Sequence, residues 1–162
     1  MRGAQGAVIF ADLRIMLATI AVLFALSAPV SDNPVKWKFS ATAAGDGIVR
    51  VELRSEVQPG WHIYATSLPS DQGPVATYIR FQESESFNLV GPLHEPKAVE
   101  VFDPNFSMEV LYHEGSPVFT QLIKPNGAGE FDVVGEVEFM VCNDKTCLPP
   151  VKVPFKLHVE SI

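Results

Sequence analysis

The stretch EFDVVGEVEFMVCNDKTCLPPVKVPFKLHVE, residues 130–160, contains two runs in which apolar and polar residues alternate. Alternation with a period of two is typical of a β-strand that buries one face and exposes the other. Asn-Asp-Lys-Thr, between the runs, is composed of residue types that favour turns. The stretch therefore predicts an antiparallel hairpin, and this hairpin carries Cys142 and Cys147, the only two cysteines among the 162 residues.

The same alternation recurs in shorter segments along the chain. They are KWKFSA (36–41), IVRVELRSEV (48–57), WHIYATS (61–67), VATYIRF (75–81), AVEVF (98–102), MEVLYHEG (108–115) and PVFTQLIK (117–124). The segments between them, such as GPLHEP (91–96), are rich in Gly, Pro, Asp and Asn and are predicted as turns. Eight or nine short strands without a helical pattern predict one all-β domain, an immunoglobulin-like antiparallel β-sandwich.

The first residues have a different character. Arg2 and Arg14 precede the apolar run IMLATIAVLFALSAP, residues 15–29. Basic residues, a short apolar run and a small-residue end are typical of a secretory signal, and the run is shorter than the roughly 20 residues that span a bilayer. We expect a signal peptide at 1–28, a short segment at 29–34 and the domain at 35–162. The alternative is an uncleaved N-terminal anchor.

The charge balance excludes several classes of partner. The chain carries 12 basic and 19 acidic residues, a formal net charge of −7. Without residues 1–28, which contain Arg2, Arg14 and Asp12, 10 basic and 18 acidic residues remain, a balance of −8. Because this part of the sequence has no basic cluster, nucleic acid and anionic membrane surfaces are poor partners. We expect an exported domain, outside the cytoplasm, that does not insert into the membrane after signal cleavage, in a compartment where disulfides persist.

Two interpretations of the cysteine pair are open. Across a four-residue turn, Cys142 and Cys147 would face each other on adjacent strands, where Cα atoms about 4.5 Å apart suit a disulfide. A bond that closes so short a loop would stabilise the domain by roughly 2 kcal/mol and leave the rest of the sandwich unconstrained. A structural staple and a redox couple are both consistent with this pattern.

Metal and haem sites fit the pattern less well. Zinc would need two further Cys or His ligands at close spacing, and haem attachment would need His where the sequence has Leu148. A copper site made of Met140, Cys142 and His158 lacks the usual cupredoxin spacing. We therefore predict no metal and no cofactor. Three of the four histidines are predicted to be isolated surface residues: His94, His113 and His158.

Two separate stretches give the sequence a family resemblance. EFMVCNDKTCLPPVKVPFKL (138–157) and GWHIYATSLP (60–69) together resemble the N-terminal periplasmic domain of the DsbD family of thiol:disulfide interchange proteins. The resemblance covers roughly residues 35–160. DsbD continues into a membrane domain and a thioredoxin-like domain, whereas this sequence stops at Ile162. We therefore expect a stand-alone relative, or one part of a split gene, with a separate protein as electron donor.

The resemblance implies a redox function for Cys142 and Cys147. In DsbD this pair takes electrons from the protein's own thioredoxin-like domain and passes them to periplasmic acceptors, such as disulfide isomerases and thioredoxins of cytochrome c biogenesis. For this sequence the resemblance implies thioredoxin-fold partners and a DsbD-like membrane electron carrier. The chemistry would be that of a protein-disulfide reductase, thiolate attack on a disulfide through a mixed-disulfide intermediate. The alternative is a non-catalytic exported β-sandwich module with a structural hairpin disulfide.

The resemblance also implies residues that shield the sulfur atoms. The candidate cap segment is FDPNFSMEV, residues 102–110, with the apolar Phe106 among turn residues. Alternation places His62 and Tyr64 on one face of their strand and Ile63 on the other. By resemblance, His62 and Tyr64 face the cysteines.

Overall fold

A computed structural model describes residues 33–160 of the chain, so the predicted signal peptide lies outside the described residues. Within residues 33–160 the chain forms strands and no helix. The strands are β1 (Val35–Gly45), β2 (Ile48–Val57), β3 (His62–Tyr64), β4 (Tyr78–Phe81), β5 (Phe87–His94), β6 (Val99–Asp103), β7 (Met108–His113), β8 (Val118–Pro125), β9 (Phe131–Asn143) and β10 (Thr146–Val159).

The strands form two antiparallel sheets. The first sheet has the order β1-β2-β8-β5, and the second has the order β10-β9-β3-β7-β6, with β4 also paired to β9. The predicted immunoglobulin-like β-sandwich is therefore confirmed. Non-consecutive neighbours such as β2 and β8 show that most of the pairing is long-range, as in Greek-key sandwiches.

The main core lies between the sheets and follows from the alternation. In β2, Val49, Val51 and Leu53 are buried and alternate with more exposed residues. In β9, Val137, Phe139 and Val141 do the same. Because successive side chains point to opposite faces of a sheet, one apolar face of each strand suffices to close this core. The remaining buried apolar members are Val35, Val57, Ile63, Phe87, Phe119, Ile123, Val133, Phe155 and Val159.

Strand β9 organises the second sheet. One of its edges pairs with β10 over nearly its full length, and the other edge pairs first with β4 and then with the short β3. Gly135 is needed at the β4 contact, because a Cβ atom there would clash with the Phe155 ring and the backbone oxygen of Arg80. This packing carries β3 to the end of β9 that bears Cys142.

One strand was not expected from the sequence. Residues 91–96 were predicted as a turn, but Phe87–His94 forms the edge strand β5, with a register irregularity between Val90 and His94. Most residues of β5 are exposed, so the strand lacks the alternation that identifies a half-buried strand. Gly91, with φ of 68°, and Pro92 interrupt its pairing, as is usual for edge strands.

Candidate redox site

The cysteine hairpin is tighter than the sequence predicted. Cys142 and Cys147 are disulfide-bonded and directly opposed on β9 and β10, with Cα atoms 4.1 Å apart. The strands extend to Asn143 and Thr146, so the turn has two residues rather than four. The side-chain oxygen of Asn143 accepts hydrogen bonds from the backbone N–H groups of Lys145 and Thr146, both at 2.9 Å. These bonds close the turn and hold the two sulfur atoms beside each other.

The disulfide lies on the outer face of the second sheet, the face turned away from the first sheet. Val141 points into the main core, so its neighbour Cys142 points outward. An outward side chain would ordinarily be solvated, yet Cys142 has an exposed fraction of 0%, while Cys147 is partly exposed. Something other than the sandwich core must therefore cover Cys142.

A second, smaller apolar cluster provides this cover. Its fully buried members are Tyr64, Val110 and Cys142. The half-buried side chains packed against them are Leu68, Val101, Phe106, Met108, Tyr112, Met140 and Cys147. The cluster draws on five separate parts of the sequence, and this explains why local periodicity could not reveal it.

The cap segment covers the disulfide from the β6–β7 hairpin. Phe106 is half-buried in the cluster, and its ring meets that of Tyr64 edge to face at 6.1 Å. The Asn105 side-chain amide donates a hydrogen bond of 2.8 Å to the backbone oxygen of Asn143, next to Cys142. Ser107 adopts a positive φ of 54°, which turns the chain back into β7. Apolar packing and one hydrogen bond to the cysteine hairpin therefore hold the cap segment beside the disulfide.

The connection between β3 and β4, residues 65–77, adds to the cover. Leu68 packs in the cluster, and a Cβ atom on Gly73 would lie 2.7 Å from the Met108 sulfur. The connection and the cap segment are therefore in close contact at this point. Glu95 anchors the start of this connection, because it accepts hydrogen bonds from the backbone N–H and the hydroxyl of Thr66.

His113 was predicted to be an isolated surface residue, and this is wrong. It is buried on the inner face of β7, and its Nε2 lies 2.8 Å from a carboxylate oxygen of Glu95. Burial raises the pKa of Glu95, but the hydrogen bonds from His113 and Thr66 outweigh burial and leave the pKa below its usual value. The pair ties the β3–β4 connection to the second sheet.

A buried polar network lies beside the disulfide. Tyr64 donates a hydrogen bond of 2.5 Å to Asp103, and the His62 Nε2 lies 3.4 Å from the Tyr64 hydroxyl and 3.8 Å from Asp103. All three residues are buried. Burial, the hydrogen bond to Asp103 and its negative charge together raise the pKa of Tyr64 above its usual value. Tyr64 therefore stays protonated and serves as a hydrogen-bond donor.

His62 is held between this network and the disulfide. It is the β-sheet partner of Cys142, and its ring stacks on that of Tyr112 at 4.4 Å. Burial lowers the pKa of His62, although the negative charges of Asp103, Glu114 and Asp144 oppose this effect. With the disulfide formed, the imidazole is therefore mostly neutral at neutral pH.

The structure brings the five sequence-predicted site residues together. Cys142, Cys147, His62, Tyr64 and Phe106 all lie at the outer face of the second sheet. Sequence reasoning missed other residues of the site: Leu68, Asp103, Asn105, Met108, Tyr112 and Met140. Asp103 and Asn105 belong to the predicted cap segment, so turn chemistry could have drawn attention to them.

Two other features are absent from the described residues. In the part of the chain from residue 33 to 160, no group of three or more His, Cys, Asp or Glu side chains is arranged to hold a metal ion. The same residues contain no helix of the length and apolarity that crossing a bilayer requires.

Two solved structures are similar to this chain. The N-terminal periplasmic domain of ScsB from Proteus mirabilis has a similar fold, with a TM-score of 0.57 and 19% identity, over 79% of this chain and 47% of that chain. This chain thus spans about half the length of that domain. The DsbD N-terminal domain of Neisseria meningitidis in the reduced form has a TM-score of 0.47 and 17% identity, over 77% of this chain and 86% of that one. No curated protein matches the sequence.

The family match covers most of the described fold. Residues 28–158 match the family described as thiol:disulfide interchange protein DsbD, N-terminal. This range includes strands β1 to β9, all of β10 except its last residue, and both cysteines. The resemblance seen in the sequence is confirmed, and the chain belongs to the family of DsbD N-terminal domains, which are periplasmic domains with a role in thiol:disulfide interchange.

Proposed function

We propose that this chain is a periplasmic thiol–disulfide exchange domain that relays electrons through Cys142 and Cys147. The donor would be a thioredoxin-like protein or a DsbD-like membrane electron carrier, and the acceptors would be exported thioredoxin-fold proteins. The observation that carries the proposal is the disulfide's place on the outer face of the sheet, beside a cap segment that packs in a cluster separate from the main core. A bond that served only as a staple would need no such separate cover.

The different exposure of the two sulfur atoms supports an order of attack. Cys147 is partly exposed and Cys142 is fully buried. A donor thiolate therefore attacks Cys147, the Cys142–Cys147 bond breaks, and Cys142 leaves as a thiolate. The second thiol of the donor then attacks the donor sulfur that is bonded to Cys147. This step forms the donor disulfide and releases Cys147. Two electrons pass from the donor dithiol, which becomes a disulfide, to this pair.

The shielding residues would limit which molecules reach the pair. Phe106 and the ring of Tyr64 pack in the same cluster as the two cysteines. His62 lies beside Cys142, as its sheet partner on β3. In an oxidising compartment, a reduced pair must avoid reaction with non-cognate oxidants. A partner protein that displaces the cap segment gains access to Cys147, whereas a molecule that leaves the cap in place does not.

The enzyme class that follows is a protein-disulfide reductase, a component of thiol:disulfide interchange. The chemistry needs only the two cysteines and a protein dithiol, so it requires no cofactor. Family membership supports thioredoxin-like partners in general terms. The particular donor and acceptor belong to the proposal.

A trapping experiment tests the proposal. Cys142→Ser leaves the accessible Cys147 to form a mixed disulfide with thioredoxin-fold proteins of the periplasm, and Cys147→Ser leaves only the buried Cys142. We expect Cys142→Ser to accumulate a mixed disulfide with such a protein and Cys147→Ser to accumulate far less. If neither variant traps any such protein, the electron-relay function is wrong.

The reduction potential distinguishes the alternative, a non-catalytic module with a structural disulfide. Structural disulfides of exported proteins have potentials below about −300 mV, whereas pairs that exchange with thioredoxin-like proteins have higher potentials. We expect the potential of the Cys142–Cys147 pair, measured by equilibration with dithiol buffers, to lie above that limit. A much lower value, with no exchange, would support the structural interpretation.

A further inference from the structure

His62 has a position that shielding alone does not explain. Cys147, Cys142 and His62 form a row across β10, β9 and β3, since each is the sheet partner of the next. Directly opposed residues project from the same face, with Cβ atoms typically about 4.5–5.5 Å apart. The imidazole is therefore the neighbour of the sulfur atom that leaves when Cys147 is attacked.

The surroundings of His62 are acidic and mostly dry. The titratable groups that face it from its own strand, from β6, from the end of β7 and from the cysteine hairpin are Tyr64, Asp103, Tyr112, Glu114 and Asp144. Apart from the imidazole itself, none of these groups can supply a positive charge, and Lys145, in the turn between the cysteines, is exposed to solvent. His62 is therefore the side chain of this set that can become the counter-ion of a negative charge at Cys142.

We propose that reduction of the pair leaves Cys142 as a thiolate beside a protonated His62. The inference deepens the proposed exchange function and rests on it. The donor thiolate attacks Cys147, the electron pair of the broken S–S bond goes to Cys142, and His62 takes up one proton from the solvent. When the second donor thiol releases Cys147, that sulfur takes up the second proton. Reduction thus consumes two electrons from a protein dithiol and two protons.

The physical reason is the cost of a buried, unpaired charge. A thiolate that loses its water becomes stable only when a positive group or hydrogen-bond donors replace that water. The disulfide adds no charge beside His62, whereas the thiolate adds a negative charge that favours the protonated imidazole. Asp103 then stabilises the imidazolium from its other side, since it lies 3.8 Å from the His62 Nε2. The two redox states thus differ in the charge of one histidine.

A titration of the wild-type protein tests the inference without any substitution. The His62 resonances are followed by NMR over pH in the oxidised protein and in protein reduced by a phosphine. We expect the His62 midpoint to rise by one pH unit or more on reduction. His158 is the internal control, because it lies at the far end of β10, paired with Asp132, and its midpoint should not move. An equal His62 midpoint in both redox states would overturn the inference.

A pair of variants assigns the charge to one sulfur. In Cys147→Ser the far-ultraviolet thiolate absorbance belongs to Cys142 alone, and we expect a thiolate at neutral pH. Adding His62→Phe keeps a ring that can stack on Tyr112 but removes the nitrogens. The thiolate fraction at neutral pH should then fall about tenfold or more, because an ordinary thiol has a pKa of about 8.5. An unchanged fraction would overturn the inference.

These results remain separable from those that test the proposed function. If His62→Phe alone exchanges with thioredoxin-fold proteins like the wild type, and the thiolate fraction is unchanged, the relay function stands and the role of His62 is wrong. If the wild type exchanges with no thioredoxin-fold protein, the relay function fails, whatever the titration shows. His62→Gln, a smaller polar replacement, takes the place of His62→Phe if the latter fails to fold, and the wild-type titration depends on neither.

Discussion

The cap segment makes one hydrogen bond whose removal should change how fast the disulfide is reduced. The Asn105 amide donates to the Asn143 backbone oxygen at 2.8 Å and links the cap to the cysteine hairpin. Asn105→Ala removes this bond. It leaves in place the hydrogen bond from the Asn105 backbone N–H to Asp103, which holds the turn. The cap should therefore keep its conformation and open more often.

The size of the effect follows from the free energy of the bond. A hydrogen bond of this kind contributes about 0.5–1.5 kcal/mol net, which corresponds to about a 2- to 12-fold change in the open population. Because Asn105 is exposed, we expect the lower half of this range. If reduction proceeds from the open state, its rate should rise by the same factor.

The assay is reduction of the oxidised protein by a small dithiol, sampled by thiol alkylation. Asn88→Ala is the matched control, because Asn88 also donates an exposed amide hydrogen bond, of 2.6 Å, to Asn126 in the first sheet. Its loss should leave the reduction rate unchanged. If Asn105→Ala is reduced at the rates of the wild type and of Asn88→Ala, cap opening does not control access to the disulfide.

Three further predictions concern the cap, the second sheet and the buried ion pair. Phe106→Ala should speed reduction by the same dithiol more than Asn105→Ala does, and should lower the free energy of unfolding by about 1–2 kcal/mol in urea, because a half-buried ring is lost. Gly135→Ala should destabilise the protein by about 1–3 kcal/mol in the same assay, since its Cβ would clash with Phe155; no change would mean that β4 and β10 adjust freely. The folded-state pKa of Glu95 is lowered, so its pairing with His113 stabilises the fold above about pH 4.5, and this stabilisation is lost as the pH falls through the folded-state pKa. In Glu95→Gln the free energy of unfolding should therefore depend less steeply on pH in that acidic range. The same slope in the variant and the wild type would contradict this.

Local pattern was sufficient for the fold class and for the register of the cysteines. Strand alternation identifies the buried face of β2 and β9 from the residues alone, because the period of two is a property of the extended backbone. A short polar turn between two strands also places Cys142 opposite Cys147, whether the turn has four residues or two. The exposed edge strand β5 escaped prediction, because its burial pattern follows from its place in the sheet and not from its composition.

The environment of the disulfide depended on tertiary structure. Alternation places Cys142 on the outward face of β9, where the sequence pattern predicts an exposed side chain. The side chain is nevertheless fully buried. The residues that bury it come from β3, the β3–β4 connection and the cap segment, between 32 and 78 residues away along the chain. The side to which a residue points is a local property of the strand, whereas what covers that side depends on how distant hairpins return to it. The sequence alone therefore determined a sandwich with a paired hairpin cysteine couple, and the tertiary structure decided that His62, Asp103 and Phe106 surround it.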